Sequence, residues 1–167
     1  KKQALIFGIA LSFFSVIALD YFTNRISAAL LLFTILFYVF FYTMWLKRKT
    51  SQNIVIGGAA GALPPVIGWT IATNSLSLEP MTFFLIIFFW TPSHFWALSL
   101  YKSDDYKKAK IPMLPLTNGI ESTKINILVY SLLMLPVIIL PYAIGFVSLV
   151  FLVPALMLTL YYNYLCF

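Results

Sequence analysis

The sequence predicts an all-α fold, a polytopic transmembrane helix bundle with about six spans. Of its 167 residues, 62% are hydrophobic and only 10% are charged, and a soluble domain of this length could not bury so much apolar surface. A spanning helix needs roughly 20 apolar residues, and the chain offers about six such runs. The alternating pattern of a closed barrel is absent from the sequence.

The apolar runs follow one another with short polar connections. They cover residues 4–19, 26–46, 54–73, 81–101, 125–142 and 146–165. The third run, "IVIGGAAGALPPVIGWTIAT", is rich in small residues that let helices approach closely in lipid. Pro64 and Pro65 predict a kink or break in that helix, because neither can donate a backbone hydrogen bond. Such a break is tolerated in a bilayer where it faces protein or a cavity.

The basic residues predict one orientation for these spans. If the first helix starts on the cytoplasmic side, ten of the eleven lysines and arginines lie on that side, and only Arg25 lies opposite. The ten are Lys1, Lys2, Lys47, Arg48, Lys49, Lys102, Lys107, Lys108, Lys110 and Lys124. This distribution follows the positive-inside tendency. The net charge of +6 therefore reflects topology and predicts a lipid bilayer, not nucleic acid, as partner.

One connection concentrates charge between apolar segments, the stretch "LYKSDDYKKAKIPMLPLTNG" at 100–119. Asp104 and Asp105 follow a predicted helix end, and adjacent carboxylates repel unless a cation shares the site. Carboxylate pairs suit Mg²⁺, which binds through one or two carboxylates together with substrate phosphates. The second basic cluster, "LKRKT" at 46–50, is predicted on the same side. Two interpretations follow: topology charge alone, or a pocket for a Mg²⁺-diphosphate with an apolar tail.

Two long stretches carry a resemblance to a known family. "YTMWLKRKTSQNIVIGGAAGALPPVIGW" (42–69) and "TPSHFWALSLYKSDDYKKAKIPMLP" (91–115) are similar to the protoheme IX farnesyltransferases, or heme O synthases, within the UbiA-type intramembrane prenyltransferase superfamily. The resemblance covers nearly the whole chain. It implies transfer of the farnesyl group of farnesyl diphosphate to a vinyl group of heme b, giving heme o and releasing diphosphate. It also implies a Mg²⁺ cofactor and, as a partner, the heme A synthase that acts downstream.

The resemblance assigns roles to individual residues. Asp104 and Asp105 correspond to the second aspartate-rich loop, as catalytic and Mg²⁺-binding residues. Diphosphate-binding positions fall on Lys47 and Arg48, for which topology charge is the other interpretation. For Lys107 and Lys108, the same role is predicted from their positive charge beside the aspartates. The chain departs from the superfamily pattern of aspartates four apart, because position 108 is lysine and position 109 is alanine. One metal-facing carboxylate is therefore expected to be missing or supplied from elsewhere.

The first aspartate-rich loop of the family has no counterpart in these residues. Asp20 and Asn24 do not replace it, because they are predicted on the opposite face. The sequence also starts without a methionine and stops within an apolar run. These features predict an incomplete transmembrane domain spanning 1–167, equivalent to helices three to eight of a nine-helix enzyme, and inactive by itself.

His94 is the only histidine and is predicted inside the membrane, about two turns before the aspartates. Intramembrane ionisable groups are often functional, so His94 is a candidate for binding heme, through its iron or a propionate. A structural hydrogen bond to a neighbouring helix is the competing interpretation. Trp90, Phe95 and Trp96 are candidates to stack on a porphyrin, although aromatic residues in helices usually pack only.

Other functions remain alternatives at this point. A UbiA-type enzyme with a quinone-precursor or other aromatic acceptor would share the same charged loop. A fragment of a transporter or channel would carry basic loops for topology alone, but predicts repeats and midplane charges, which the spans lack apart from His94. The predicted location is the inner (plasma) membrane of a bacterium, with the mitochondrial inner membrane as the alternative.

Overall fold

The structure, a computed structural model, describes residues 2–166, and in that range it is built from helices and connecting turns. Lys1, at which the predicted orientation begins, lies outside the described residues. The helices are α1 Lys2–Phe22, α2 Arg25–Leu36, α3 Asn53–Gly61, α4 Pro64–Thr73, α5 Glu79–Tyr101, α6 Ser103–Lys108, α7 Leu114–Thr117, α8 Ile120–Ala143 and α9 Leu149–Cys166. A π-helical segment Phe37–Trp45 and a 3-10 turn Leu46–Arg48 follow α2 directly.

The prediction of six spans is confirmed for the described residues. Six helical segments are long and apolar enough to cross a membrane, with α2 extending to Arg48 and α3 and α4 together forming one span. The break inside that span is confirmed as well. Helix α3 ends at Gly61, and α4 starts at Pro64 with both prolines in its first turn. Backbone N–H groups in a first turn have no acceptor within the helix, so proline is tolerated there.

Helix α5 lies at the centre of the bundle. It packs against α3, α4 and α8, while α9 packs on α8 and α1 packs on α2. Ser93 of α5 donates its hydroxyl to the carbonyl of Ile127 at 3.0 Å and lies 2.9 Å from the hydroxyl of Tyr162. Asn163 of α9 donates to the carbonyl of Ser131 at 3.1 Å. Such interhelical hydrogen bonds hold helices together where lipid offers no hydrophobic drive.

The π-helical segment Phe37–Trp45 is the main departure from the sequence prediction, which placed one regular helix over 26–46. Its wider turn is visible in Thr43, whose hydroxyl donates to the carbonyl of Tyr38, five residues earlier, at 2.8 Å. π-helical turns in longer helices frequently occur at functional sites. Here the segment carries Tyr38 and Tyr42 side by side, with ring centroids 5.0 Å apart.

The charged connection after α5 is fixed to the bundle at its far end. Met113 and Leu114 are 1% and 2% exposed and belong to a core cluster with Ile54, Trp96 and Ile127. The chain reverses at Lys110, which adopts a left-handed conformation with φ of 54°. The stretch "IPMLP" is therefore an anchor, and through it α7 packs on α5 and α8 and holds the polar helix α6 beside α5.

Candidate functional site

The candidate site is a cavity of about 470 Å³ at the charged end of the bundle. Its walls come from the π-helical segment, α3, α5 and the segment from α6 to Met113. The residues with polar or aromatic side chains that line it include Tyr38, Tyr42, Lys47, Trp90, Phe95 and Tyr106. The volume lies within the range of small-molecule sites, and a few polar groups on apolar walls are typical of such sites.

Glycines of α3 form one wall of this cavity. A Cβ atom on Gly57 would lie 2.5 Å from Cε2 of Tyr42, so the tyrosine ring rests directly on the helix backbone. At Gly58 a Cβ would lie 3.1 Å from Thr91 of α5. The small residues that the sequence marks as helix contacts therefore serve two purposes, close packing on α5 and room for an aromatic ring.

We expect the substitution Gly57→Ala to destabilise the protein, because the added methyl group overlaps the Tyr42 ring. Overpacking of this kind typically costs about 1–3 kcal/mol. Gly61→Ala is the matched control on the same helix, since its Cβ would meet no atom within 4 Å. Thermal unfolding of both variants in the same detergent should show a lower Tm for Gly57→Ala alone. Equal melting temperatures would contradict the proposed contact.

Asn53 joins the two polar segments beside the cavity. Its side-chain amide is fully buried and donates to the carbonyl of Thr50 at 2.8 Å and to that of Pro112 at 3.3 Å. The first bond closes the turn after the basic cluster, and the second reaches the anchor after α6. This amide therefore helps to set the separation of the two charged segments. Among the described residues its Oδ1 has no hydrogen-bond partner.

The two basic segments meet, as the sequence predicts. A second cavity, of about 380 Å³, is lined by Lys47 and Arg48 from the first segment and by Ala109 and Ile111 from the second. Lys47 lines both cavities. The common placement of these segments at one end of the bundle is confirmed, and this end is called the basic face below.

Asp104 and Asp105 lie in the first turn of α6, at the basic face. Both side chains are exposed, and neither lines the two cavities described above. Within residues 2–166 neither carboxylate forms a hydrogen bond or an ion pair, and no group of three or more His, Cys, Asp or Glu side chains is positioned to hold a metal ion. Two free adjacent carboxylates fit Mg²⁺, which takes its remaining ligands from water and phosphate oxygens.

Lys107 and Lys108 occupy the last turn of the same short helix and are exposed. They line neither cavity, and in the described part of the chain they make no ion pair with the aspartates. They are therefore exposed on the same short helix as Asp104 and Asp105, whereas Lys47 lines the cavity. Their predicted diphosphate contact stays a prediction.

His94 lies on the cavity side of α5 but is not among the residues that line the cavity. Its ring stacks on Trp90, with centroids 4.4 Å apart and planes inclined by 15°. The side chain is exposed and forms no hydrogen bond within the described chain, so the predicted structural hydrogen bond to a neighbouring helix is not formed there. Its predicted contact with heme stays a prediction.

The three aromatic candidates near His94 separate into two groups. Trp90 and Phe95 line the cavity and are 40% and 37% exposed, so their faces are accessible to a ligand. Trp96 is fully buried and meets Tyr130 edge-on with centroids 5.2 Å apart. Trp96 is therefore a packing residue, because its position on the helix turns it into the core cluster.

Sequence reasoning missed the tyrosines and Asn53. Tyr38 and Tyr42 sit in an apolar run where periodicity gives no reason to single them out. Tyr106 stands inside the charged stretch, where the charge pattern points to the neighbouring carboxylates and lysines. For Asn53, the available signal is an asparagine at the start of an apolar helix, just after a basic cluster.

Comparison with known proteins identifies relatives of the whole chain. The profile described as UbiA prenyltransferase family matches residues 1–167. The protein named protoheme IX farnesyltransferase from Pelagibacter ubique (strain HTCC1062) is 91% identical over 167 residues, which are 100% of this chain and 55% of the relative. No solved structure gives a significant match.

More distant relatives carry the same name. The protoheme IX farnesyltransferase of Rhodopseudomonas palustris (strain BisB5) is 55% identical over 151 residues, 90% of this chain and 48% of the relative. The protein of that name from Parvibaculum lavamentivorans is 56% identical over 145 residues, 87% of this chain and 46% of the relative. The chain thus spans about half the length of the curated relatives it matches. Because the family profile covers all 167 residues, the chain belongs to the UbiA prenyltransferase family.

Proposed function

We propose that the whole protein to which these residues belong is a heme O synthase, which transfers a farnesyl group to heme b. The observation that carries the proposal is the 91% identity, over the entire chain, to a protein named protoheme IX farnesyltransferase. The geometry supports it, because the short helix α6 carries the carboxylate pair, Lys107 and Lys108 and contributes Tyr106 to an aromatic cavity that Lys47 also lines.

The proposed reaction breaks one bond of farnesyl diphosphate and forms another on the porphyrin. The C1–O bond breaks and diphosphate leaves with the bonding electrons, while C1 bonds to the terminal carbon of a heme vinyl group. Water adds to the remaining vinyl carbon and loses a proton, which completes the hydroxyethylfarnesyl group of heme o. When bound, Mg²⁺ supplies positive charge to the leaving diphosphate.

The chain's own residues have distinct parts in this scheme. Asp104 and Asp105 would hold the metal at the basic face, and Lys47 and Arg48 would meet oxygens of the diphosphate with fixed positive charge. The walls below, formed by Trp90, Phe95 and apolar side chains, would keep water away from the allylic cation. This division puts the charged end of the prenyl donor at the surface and its tail among the helices.

Lys107 and Lys108 are expected to contribute less than the aspartates. They are exposed neighbours on one helix turn, so either one can replace the charge of the other. We expect Lys107→Ala or Lys108→Ala to raise the KM for farnesyl diphosphate by about threefold, whereas the double variant raises it by about tenfold, a loss of one charge-assisted contact. Steady-state kinetics of the full-length enzyme measure this. A single variant as impaired as the double would contradict the shared role.

The test of the proposed function uses the full-length gene expressed in membranes that lack a heme O synthase. Farnesyl diphosphate, Mg²⁺ and heme b are added, and heme o is sought by mass spectrometry. A parallel reaction with an aromatic quinone precursor tests the alternative acceptor. Prenylation of that precursor without heme o would favour the alternative UbiA-type function, and no prenyl transfer to either acceptor would overturn both.

Location and partner belong to the same proposal. The named relatives are bacterial, which supports the plasma membrane of a bacterium over the mitochondrial inner membrane. The basic face would then be cytoplasmic, following the positive-inside tendency. A heme A synthase, acting downstream, would receive the product.

A further inference from the structure

Three tyrosines line the candidate cavity together with one lysine. Tyr38 and Tyr42 come from the π-helical segment, and Tyr106 comes from α6. Nζ of Lys47 lies 5.7 Å from the ring centroid of Tyr42. The set formed by Tyr38, Tyr42, Tyr106 and Lys47 is called the tyrosine cluster below. It joins two parts of the chain that lie about 60 residues apart in sequence and meet only in the folded bundle.

The polar atoms of this cluster are available to a ligand. Within residues 2–166 the hydroxyls of the three tyrosines make no hydrogen bond, and Lys47 makes no ion pair. A phenol can donate one hydrogen bond, and an ammonium group can donate three. Asp and Glu are absent from the residues that line the cavity. A site with hydrogen-bond donors, a positive charge and no carboxylate in its lining favours binding of an oxyanion.

Two oxyanions accompany the proposed function, the diphosphate of the prenyl donor and the propionate carboxylates of the porphyrin. The carboxylates suited to a metal-bound diphosphate, Asp104 and Asp105, are exposed and do not line the cavity. The cavity itself offers the aromatic faces of Trp90 and Phe95, which suit a flat macrocycle. A carboxylate attached to a planar aromatic ring system therefore fits the cluster better than a diphosphate on a flexible isoprenoid chain.

We propose that the hydroxyls of Tyr38 and Tyr106, together with the ammonium group of Lys47, bind a propionate carboxylate of the porphyrin acceptor. Lys47 lines both cavities and has three N–H donors, so it would contact this carboxylate on one side and the diphosphate on the other. This assignment rests on the proposed function and names the residues that recognise its acceptor. Tyr42 has a different part in it. Its ring is 7% exposed and lies against the backbone of Gly57, so it forms a rigid wall that fixes the neighbouring Tyr38 and the lysine above it.

The experiment measures binding of heme b to the purified full-length protein by the change in its Soret absorbance. The variants Tyr38→Phe and Tyr106→Phe remove one hydroxyl each and keep the aromatic wall. We expect each to weaken heme b binding about tenfold, the effect of losing one hydrogen bond to a charged group. Tyr142→Phe, at the far end of α8, is the matched control and should bind heme b as the unaltered protein does. Equal melting temperatures among the variants verify that the fold is retained.

Two further binding measurements show whether the cluster binds the propionate or the diphosphate. With the dimethyl ester of the porphyrin, which lacks the carboxylates, the unaltered protein and the two cluster variants should bind equally. Affinity for an unreactive analogue of farnesyl diphosphate should stay the same in all of them. Unchanged heme b binding in both cluster variants would overturn the proposal. It would also be overturned if the variants lost as much affinity for the ester as for heme b. A loss confined to the diphosphate analogue would also overturn it and assign the cluster to the prenyl donor.

Failure of this inference is separate from failure of the proposed function. Formation of heme o by the unaltered full-length protein establishes the activity, whatever the tyrosine variants do. Conversely, ester-sensitive porphyrin binding through Tyr38 and Tyr106 would stand even if the enzyme transferred no farnesyl group.

Discussion

Replacing Asp105 with alanine in the full-length protein is expected to lower the rate of heme o formation by at least about 10²–10³, the typical effect of removing one electrostatic contact to a transition state. Asp104→Ala should lower the rate by the same order. The two carboxylates are adjacent in the first turn of α6, and within residues 2–166 neither has a protein partner. The reason is that a metal ion held by the pair would neutralise the charge that develops on the departing diphosphate. Heme o formed per enzyme per minute is the measurement.

Two controls separate this role from a structural one. Asp20→Ala removes an exposed carboxylate near the end of α1, on the face opposite to the basic one, and should leave the rate unchanged. The alanine variants of α6 should also insert into the membrane and bind heme b normally, because their side chains are exposed and contact neither cavity. A titration with Mg²⁺ should show that higher metal concentrations partly restore the variants. Full activity of Asp105→Ala would remove that residue from the proposed site.

Much of the fold could be predicted from the sequence, because the bilayer imposes simple rules. Each span needs one long apolar run, and the chain gives the same six spans in sequence and structure. Pro64 and Pro65 break the third span at the predicted place. The pairing of the "LKRKT" segment with the charged connection followed from counting basic residues, and the second cavity confirms it through Lys47, Arg48 and Ala109.

The interior of the site was harder to predict, because it depends on how helices rotate against one another. Tyr38 lines the cavity from a π-helical segment within the second span, and no composition signal marks that change of helix type. Trp96 and Trp90 look equivalent in sequence, yet one turns into the core cluster and the other toward the cavity. In a helix that is apolar on all sides, periodicity does not distinguish a lipid face from a protein face.

The 167 residues expressed by themselves are expected to form little or no heme o. A departing diphosphate needs positive charge on more than one side, and these residues contain one pair of adjacent aspartates on the basic face and no second aspartate-rich segment there. Loss of a single electrostatic contact typically lowers a rate by about 10²–10³, so loss of a whole metal-binding loop should lower it further. The chain corresponds to only 55% of the length of its Pelagibacter relative.

The open side of the cavity gives a second reason for the same expectation. Trp90 and Phe95 line the cavity and remain 40% and 37% exposed. In a bilayer these surfaces would face lipid or water, and water would capture an allylic cation before a vinyl group did. The test reconstitutes the 167 residues and the full-length enzyme in separate liposomes with farnesyl diphosphate, Mg²⁺ and heme b. Heme o formed at similar rates in both would show that one aspartate pair and this cavity suffice, and the requirement for a second metal-binding loop would then be wrong.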